Sequence, residues 1–288
     1  SVMVDKFMAA GGTYFDTAFA YQGSEECIRK ALVERYPRDS YTLATKLIVM
    51  GDNTDEESAK QEFYTSLERT GAGYFDFYLL HAFQRVNYQK YEEYHLWDFV
   101  KEQKEKGLIR HYGFSFHADP ELLEEILNDH PDVDFVQLQI NYADWEDKNV
   151  QSRACYEVAR KHGKPVVVME PIKGGVLANA LPDAVKKIFD EADPDATYAS
   201  WALRFVASIP GIRIILSGMS SVPQMENNVS FMKSVKPLSE AEQEVIVKAR
   251  EAIHSIPLVQ CTSCEYCMEN CPMGIPTPRI IRALNNYT

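Results

Sequence analysis

The chain is short of positive charge, of long apolar runs, and of cysteine outside one place. Its 30 Lys and Arg face 42 Asp and Glu, a net charge of −12, which disfavours nucleic acid or another polyanion as a partner. No apolar run approaches the roughly 20 residues that a membrane helix needs, which argues against a membrane partner. No basic stretch followed by an apolar one opens the chain, so a cytoplasmic location is expected. Cysteine is sparse, with two scattered residues (Cys27, Cys155) and four in one cluster. That pattern does not suggest a disulfide framework, and a reducing compartment fits it better. There is no low-complexity tract. Apolar residues are plentiful at 45% of 288, enough for one large core or for a domain plus a small appendage.

The clustered cysteines are Cys261, Cys264, Cys267 and Cys271, in the run Cys-Thr-Ser-Cys-Glu-Tyr-Cys-Met-Glu-Asn-Cys-Pro. This C-x2-C-x2-C-x3-C-P spacing is that of bacterial ferredoxins and lets short turns aim several thiolates at one [4Fe–4S] cluster. Structural zinc is the competing reading. Four-cysteine zinc sites normally use two C-x2-C knuckles separated by a longer loop, so the compact run favours iron–sulfur. In two-cluster ferredoxins the fourth cysteine of such a run binds the other cluster. Cys271 therefore completes the first cluster or belongs to a second one. Cys27 and Cys155 lie on helical stretches and read as packing residues.

Short apolar strands alternate with amphipathic helices along the rest of the chain. The pattern predicts strands at 13–16, 41–46, 75–80, 109–114, 135–139, 166–169 and 212–216. Helices are expected at 24–35, 55–70, 91–106, 120–129, 150–162, 196–207 and 222–234, with one more before the first strand. Strand–helix alternation implies an α/β fold with a parallel sheet and right-handed crossovers. A (β/α)8 TIM barrel and a doubly wound sheet are the candidates. Seven strands behind a leading helix fit a barrel whose first strand is absent, so a chain incomplete at both ends is expected. Ser239 and Glu242 form a capping box that opens a helix over 240–253. The expected division is a barrel over 1–235 and a linker helix plus partial ferredoxin-type domain over 236–288.

In parallel βα folds, chemistry gathers at the C-terminal ends of strands. Asp16, Lys46 and His81 end three successive strands, and Tyr21 follows Asp16 in its loop. Taken singly, each has an ordinary reading: turn cap, solvated strand end, core histidine, packing tyrosine. Together they can move a proton. A phenol with a reference pKa of about 10 is a poor acid, and a neighbouring ammonium lowers that value. An aspartate would hold the ammonium, and a histidine would orient a carbonyl oxygen.

The stretches Tyr-Phe-Asp-Thr-Ala-Phe-Ala-Tyr (with Ser-Glu-Glu following), Ala-Thr-Lys and Asp-Phe-Tyr-Leu-Leu-His make the chain over residues 1–235 resemble the aldo-keto reductases. The cysteine run is similar to that of a branch bearing a ferredoxin-like C-terminal domain. The resemblance implies Asp16, Tyr21, Lys46 and His81 as a catalytic tetrad, with Tyr21 the general acid. It implies NADP(H) or NAD(H) as cofactor and a small carbonyl or alcohol as substrate. Ser115 and Gln139 would hold the nicotinamide carboxamide. Ser217, Gly218, Met219, Ser220, Gln224 and Asn228 would form the phosphate loop and following helix, where free N–H groups suit a phosphate. The chain departs from the family at three places. Phe116 replaces an asparagine, Met169 replaces the aromatic ring that stacks on nicotinamide, and Gln224 replaces a basic residue that reads a 2′-phosphate. The cluster would pass electrons to a redox partner protein or act structurally. Two other readings are an iron–sulfur electron-transfer protein with a different redox cofactor, and a non-catalytic redox-sensing or interaction barrel.

Overall fold

Seven parallel strands pair in sequence order: β1 (Tyr14–Asp16), β2 (Thr42–Ile48), β3 (Phe75–Phe83), β4 (Ile109–Phe116), β5 (Phe135–Gln139), β6 (Val166–Met169) and β7 (Ile212–Ile215). The computed structural model describes residues 1–49, 55–256, 259, 261, 266–269 and 271–285. All seven strands fall where the sequence pattern places them, within a few residues at the ends.

The helices before and between the strands are α1 (Val2–Ala9), α2 (Ser24–Ile28), α3 (Glu56–Thr70), α4 (Tyr88–Glu93), α5 (Leu96–Glu105), α6 (Pro120–Asp129), α7 (Ser152–Lys161), α8 (Val176–Asn179), α9 (Asp183–Ala192) and α10 (Tyr198–Ala207). After β7 come α11 (Val222–Met232), α12 (Glu240–Ser255), α13 (Tyr266–Glu269) and α14 (Thr277–Asn285). The sheet curls far enough for α1 to pack on α11, where Lys6 Nζ reaches Glu226 Oε1 at 2.6 Å. This is the curl of a (β/α)8 barrel, not of a doubly wound sheet.

Local sequence explains the helix starts. Asp119 caps α6 by accepting from Leu122 N at 3.1 Å, and Pro120 opens its first turn. Leu122, Leu123, Ile126 and Leu127 then fall on one buried face. Each such aliphatic side chain stabilises by about 1.5–3 kcal/mol on full burial. Asp55 and Ser58 cap α3 reciprocally, and Ser239 and Glu242 do the same for α12 as the sequence predicts.

The expected helix over 91–106 is instead two, α4 and α5, broken at His95 with φ 49°. Helix α9 lies where the sequence pattern assigns no element. Its Val185 and Phe189 pack with Leu238, Ile246, Ala249 and Ile253, which come from α12 and the residues before it. Helix α12 is thus docked on the barrel, and His254 Nε2 lies 2.9 Å from the Ala143 carbonyl oxygen.

Strand periodicity of two sets up the site. Inward positions low in the barrel are apolar, with Ala44, Leu79, Phe135 and Val167 forming an inner plug. Gly113 faces this plug because a Cβ there would stand 2.3 Å from the Phe135 carbonyl oxygen. Further along the same inward rows come Asp16, Lys46, His81, Ser115 and Gln137. A polar ring therefore sits on an apolar floor. At the opposite end, Asp76 is buried against Arg38 (2.7 Å), Arg110 (2.8 Å) and the Leu43 N–H (2.9 Å), tying β2, β3 and β4 together.

Candidate active site

The structure brings Asp16, Tyr21, Lys46 and His81 together. Lys46 is fully buried, and its Nζ donates to Asp16 Oδ2 and to the Thr17 carbonyl oxygen, each at 2.6 Å. The ammonium lies 4.9 Å from the centre of the Tyr21 ring. Tyr21 meets His81 edge-on, with ring centroids 5.7 Å apart. Tyr21 itself is 40% exposed and forms one wall of a cleft of about 1250 Å³.

The electrostatics differ from the sequence-based expectation of a lowered phenol. Tyr21 is raised, first by burial of the group and then by the charges of Asp16 and Glu170. The Lys46 charge is committed to Asp16 and the Thr17 carbonyl, so it does not pull the phenol down. Burial also raises Asp16 despite the opposing Lys46. His81 is driven well below its usual value by burial, with the charges of Lys46 and His117 adding to it. The histidine is therefore neutral across the physiological range, a hydrogen-bonding group and not a cation.

The same cleft runs to the turn after β7. Ser217, Gly218, Met219, Ser220, Gln224 and Asn228 all line it. Asn228 Nδ2 donates to Ser217 Oγ at 3.0 Å, and Ser221 caps α11. Gln224 turns its Oε1 onto Ser220, accepting from its N–H at 2.8 Å and its hydroxyl at 3.1 Å.

Two expected cofactor contacts are placed elsewhere. Ser115 is fully buried and does not line the cleft. Its Oγ accepts from the Ala82 N–H at 2.8 Å, an amide turned aside where β3 slips register against β4 and Ala82 takes φ 55°. Ser115 repairs that irregularity. Gln139 donates to Asp144 Oδ2 at 2.9 Å and lines a separate, smaller cleft. The β5 glutamine that lines the main cleft is Gln137, two residues earlier on the same inward row. Its Nε2 lies 3.5 Å from Met169 Sδ, and its Oε1 is buried with no hydrogen-bond partner among the described residues. Strand parity could have found it, since it shares the inward face with Gln139.

Neither Lys173 nor Arg204 is a free surface charge. Lys173 is buried and paired with Asp144 Oδ1, while Arg204 bonds Glu242 at 2.7 Å and so ties α10 to α12. Cys27 is exposed, not packed. Cys155 is buried, and burial pushes its thiol up to about 12, which leaves it inert. Among the described residues, no three His, Cys, Asp or Glu side chains gather as metal ligands. Cys264 lies outside the described residues. At Cys271 the Ile275 N–H donates to Sγ at 3.3 Å, and backbone donors lower the thiol.

A curled parallel barrel with an ionisable group of this kind at its strand ends defines a barrel enzyme. The model of the aldo/keto reductase family matches residues 1–251, and the chain belongs to that family. It is 32% identical over 181 residues to "Aldo-keto reductase str7" of Strobilurus tenacellus, covering 61% of this chain and 51% of that protein. The chain thus spans about half of that relative. An aldo-keto reductase of Mycolicibacterium vanbaalenii is 27% identical over 227 residues, 77% of this chain and 74% of that protein. Among solved structures, the holo form of aldo-keto reductase AKR11C1 from Bacillus halodurans superposes with a TM-score of 0.69 at 25% identity, over 86% of each chain. An aldo/keto reductase from Klebsiella pneumoniae in complex with NADP and acetate shares the fold, with a TM-score of 0.65 at 21% identity over 86% of each chain.

Proposed function

We propose that this protein interconverts a small carbonyl compound and its alcohol, with NADP(H) or NAD(H) as cofactor. Tyr21 is the proton donor, Lys46 and Asp16 set its surroundings, and His81 orients the carbonyl oxygen. The observation that carries this reading is the buried Lys46 ammonium, held at 2.6 Å by Asp16 and by the Thr17 carbonyl oxygen, beside Tyr21 and His81 on one cleft.

The residues present suit a nicotinamide dinucleotide. The cleft reaches from Tyr21 to the start of α11, and Gln137 offers it a buried oxygen with no hydrogen-bond partner among the described residues. Gln137 and Met169 would hold the nicotinamide end, and Ser217, Gly218, Met219, Ser220, Gln224 and Asn228 the phosphate end. A bound reduced nicotinamide supplies hydride to the carbonyl carbon. Tyr21 keeps its proton at neutral pH because its phenol is raised, and it passes that proton to the carbonyl oxygen as negative charge develops there. Neutral His81 stabilises the same oxygen by hydrogen bonding and leaves the proton to Tyr21.

The segment after α12 is proposed as a ferredoxin-type appendage, with Cys261, Cys264, Cys267 and Cys271 as ligands of a [4Fe–4S] cluster in a reducing cytoplasm. The spacing supports it, and so does the thiolate-favouring backbone around Cys271. Exchange of electrons with a redox partner protein and a structural role are both open to such a cluster.

Fluorescence titration of the pure protein with NADH and NADPH tests the central claim, and binding of at least one is expected. Replacing Tyr21 by Phe is expected to lower carbonyl reduction by about 10²-fold or more while sparing cofactor affinity. Unchanged turnover would remove Tyr21 as the acid. Anaerobic reconstitution with iron and sulfide is expected to give broad visible absorption, and a protein that takes up zinc alone would refute the cluster.

A further inference from the structure

The turn after β6 carries a carboxyl group that the chemistry above does not use. Glu170 lines the same cleft as Tyr21 and His81. It sits at φ 55°, in the left-handed region, and Lys173 of the same turn sits at φ 49°. Non-glycine residues held there are strained and persist only when their surroundings fix them.

A buried network does the fixing. The Asn141 amide donates to the Glu170 carbonyl oxygen at 3.2 Å and to Asp144 Oδ2 at 2.7 Å. Lys173 pairs with Asp144 on its other oxygen. The network thus commits Lys173 to Asp144 and leaves the Glu170 side chain outside it. Glu170 Oε2 is enclosed with no hydrogen-bond partner among the described residues. The turn is strained, yet it delivers to the cleft wall a carboxyl with one oxygen unbonded among the described residues.

We propose that Glu170 is a positioning residue acting through Tyr21: its carboxylate charge weakens Tyr21 as a proton donor, and protonating Glu170 restores it. This rests on the carbonyl-reductase reading of the site.

The groups facing the pair are few. Asp144 and Lys173 bear on Glu170, and Asp16, Lys46, His81 and Glu170 surround Tyr21, with His117 further round the cleft. Burial first, then Asp144, lift Glu170 to about 7, with Lys173 opposing. His117 is held down near 4 by burial, and His81 lies well below its usual value, so neither changes charge in that range. The negative charge of Glu170 is one of the named causes of the raised Tyr21 phenol. Above neutrality that charge is present and the phenol holds its proton harder. Below neutrality it is gone and the phenol releases its proton more readily.

Two measurements test this. The first needs no turnover. Protein labelled with 13Cζ-tyrosine, with the Tyr21 signal assigned from the Tyr21→Phe spectrum, is titrated from about pH 5.5 to about pH 9. The Tyr21 signal is expected to show an inflection near neutrality that is absent in Glu170→Gln and retained in Glu170→Asp. No inflection in the native protein, or one that persists in Glu170→Gln, overturns the inference whether or not a nicotinamide binds. The second is the pH profile of kcat/KM for reduction of 4-nitrobenzaldehyde with the nicotinamide that binds. The native enzyme is expected to step down about three- to tenfold as pH rises through neutrality, and Glu170→Gln to stay on the upper plateau. A Glu170→Gln profile that steps like the native one also overturns it. Loss of nicotinamide binding with the NMR inflection intact would strike the carbonyl-reductase reading and not the Glu170–Tyr21 coupling.

Discussion

Replacing Glu62 by Gln is expected to stabilise this protein at alkaline pH and to do almost nothing at pH 5. Glu62 lies on α3, facing the back of β2, where its Oε2 accepts from the Ile48 N–H at 2.9 Å. Burial, with the charge of Glu25 adding to it, raises the carboxyl from 4.5 to about 8, against the Ile48 hydrogen bond and Arg69. The folded-state value lies above the unfolded one, so the folded protein holds this proton more tightly. The stability it contributes is complete below pH 4.5 and is lost as pH rises through about 8. A shift from 4.5 to about 8, at about 1.4 kcal/mol per unit, sets an upper figure of roughly 5 kcal/mol for ionising Glu62 in place. Local relaxation and water entry reduce that to about 2–3 kcal/mol. Glutamine keeps the acceptor for the Ile48 N–H and removes the charge. The assay is urea unfolding at pH 5, 7 and 9, comparing midpoints at constant slope. The stabilisation is expected to grow from near zero at pH 5 to its full size at pH 9. Equal gains at the two extremes, or a loss at pH 9, would refute the reasoning, because only an ionising group produces that slope.

Ser115→Ala leaves the Ala82 N–H buried without its acceptor and is expected to cost about 1–3 kcal/mol in unfolding free energy, with the KM for the nicotinamide unchanged. A large rise in that KM with unchanged stability would return Ser115 to the cofactor site. Asp76→Asn removes the buried carboxylate shared by Arg38 and Arg110, both of which reach solvent, and is expected to cost about 1–3 kcal/mol, read as a lowered urea midpoint, with kcat within about twofold of native because Asp76 lies at the end of the barrel away from the cleft.

The order of strands was legible because each is a short apolar run followed by a helix, and parallel pairing then follows from chain order. The ring formed by Asp16, Lys46 and His81 was legible for the same reason. Asp16 ends its strand and Lys46 and His81 lie two residues before the ends of theirs, so a period of two and a common direction suffice to put all three on one face. Helix α9 was not legible, because the partner of Val185 and Phe189 is α12, far along the chain. A local window over 183–192 contains an amphipathic pattern but not the surface that makes it worth forming.

Where several polar side chains of the barrel mouth end up is decided by elements outside their own segment. Gln137 and Gln139 have the same parity on one strand, so both point inward by pattern. Only the depth of the strand in the barrel, and the presence of Asp144 at its lip, decide which one reaches the cleft. Ser115 lies on β4, and a register slip in the neighbouring strand claims its hydroxyl. Lys173 lies before two glycines, and every local cue says exposed loop. A lysine that enters the interior must find an acid already buried there, or the cost of stripping water from its ammonium would keep it outside. Asp144 is that acid. It is held ready by Asn141 and Gln139 from a different turn, before Lys173 arrives in the chain. The burial of Lys173 is therefore decided by residues outside its own loop, and no reading of Ile172 to Gly175 alone contains it.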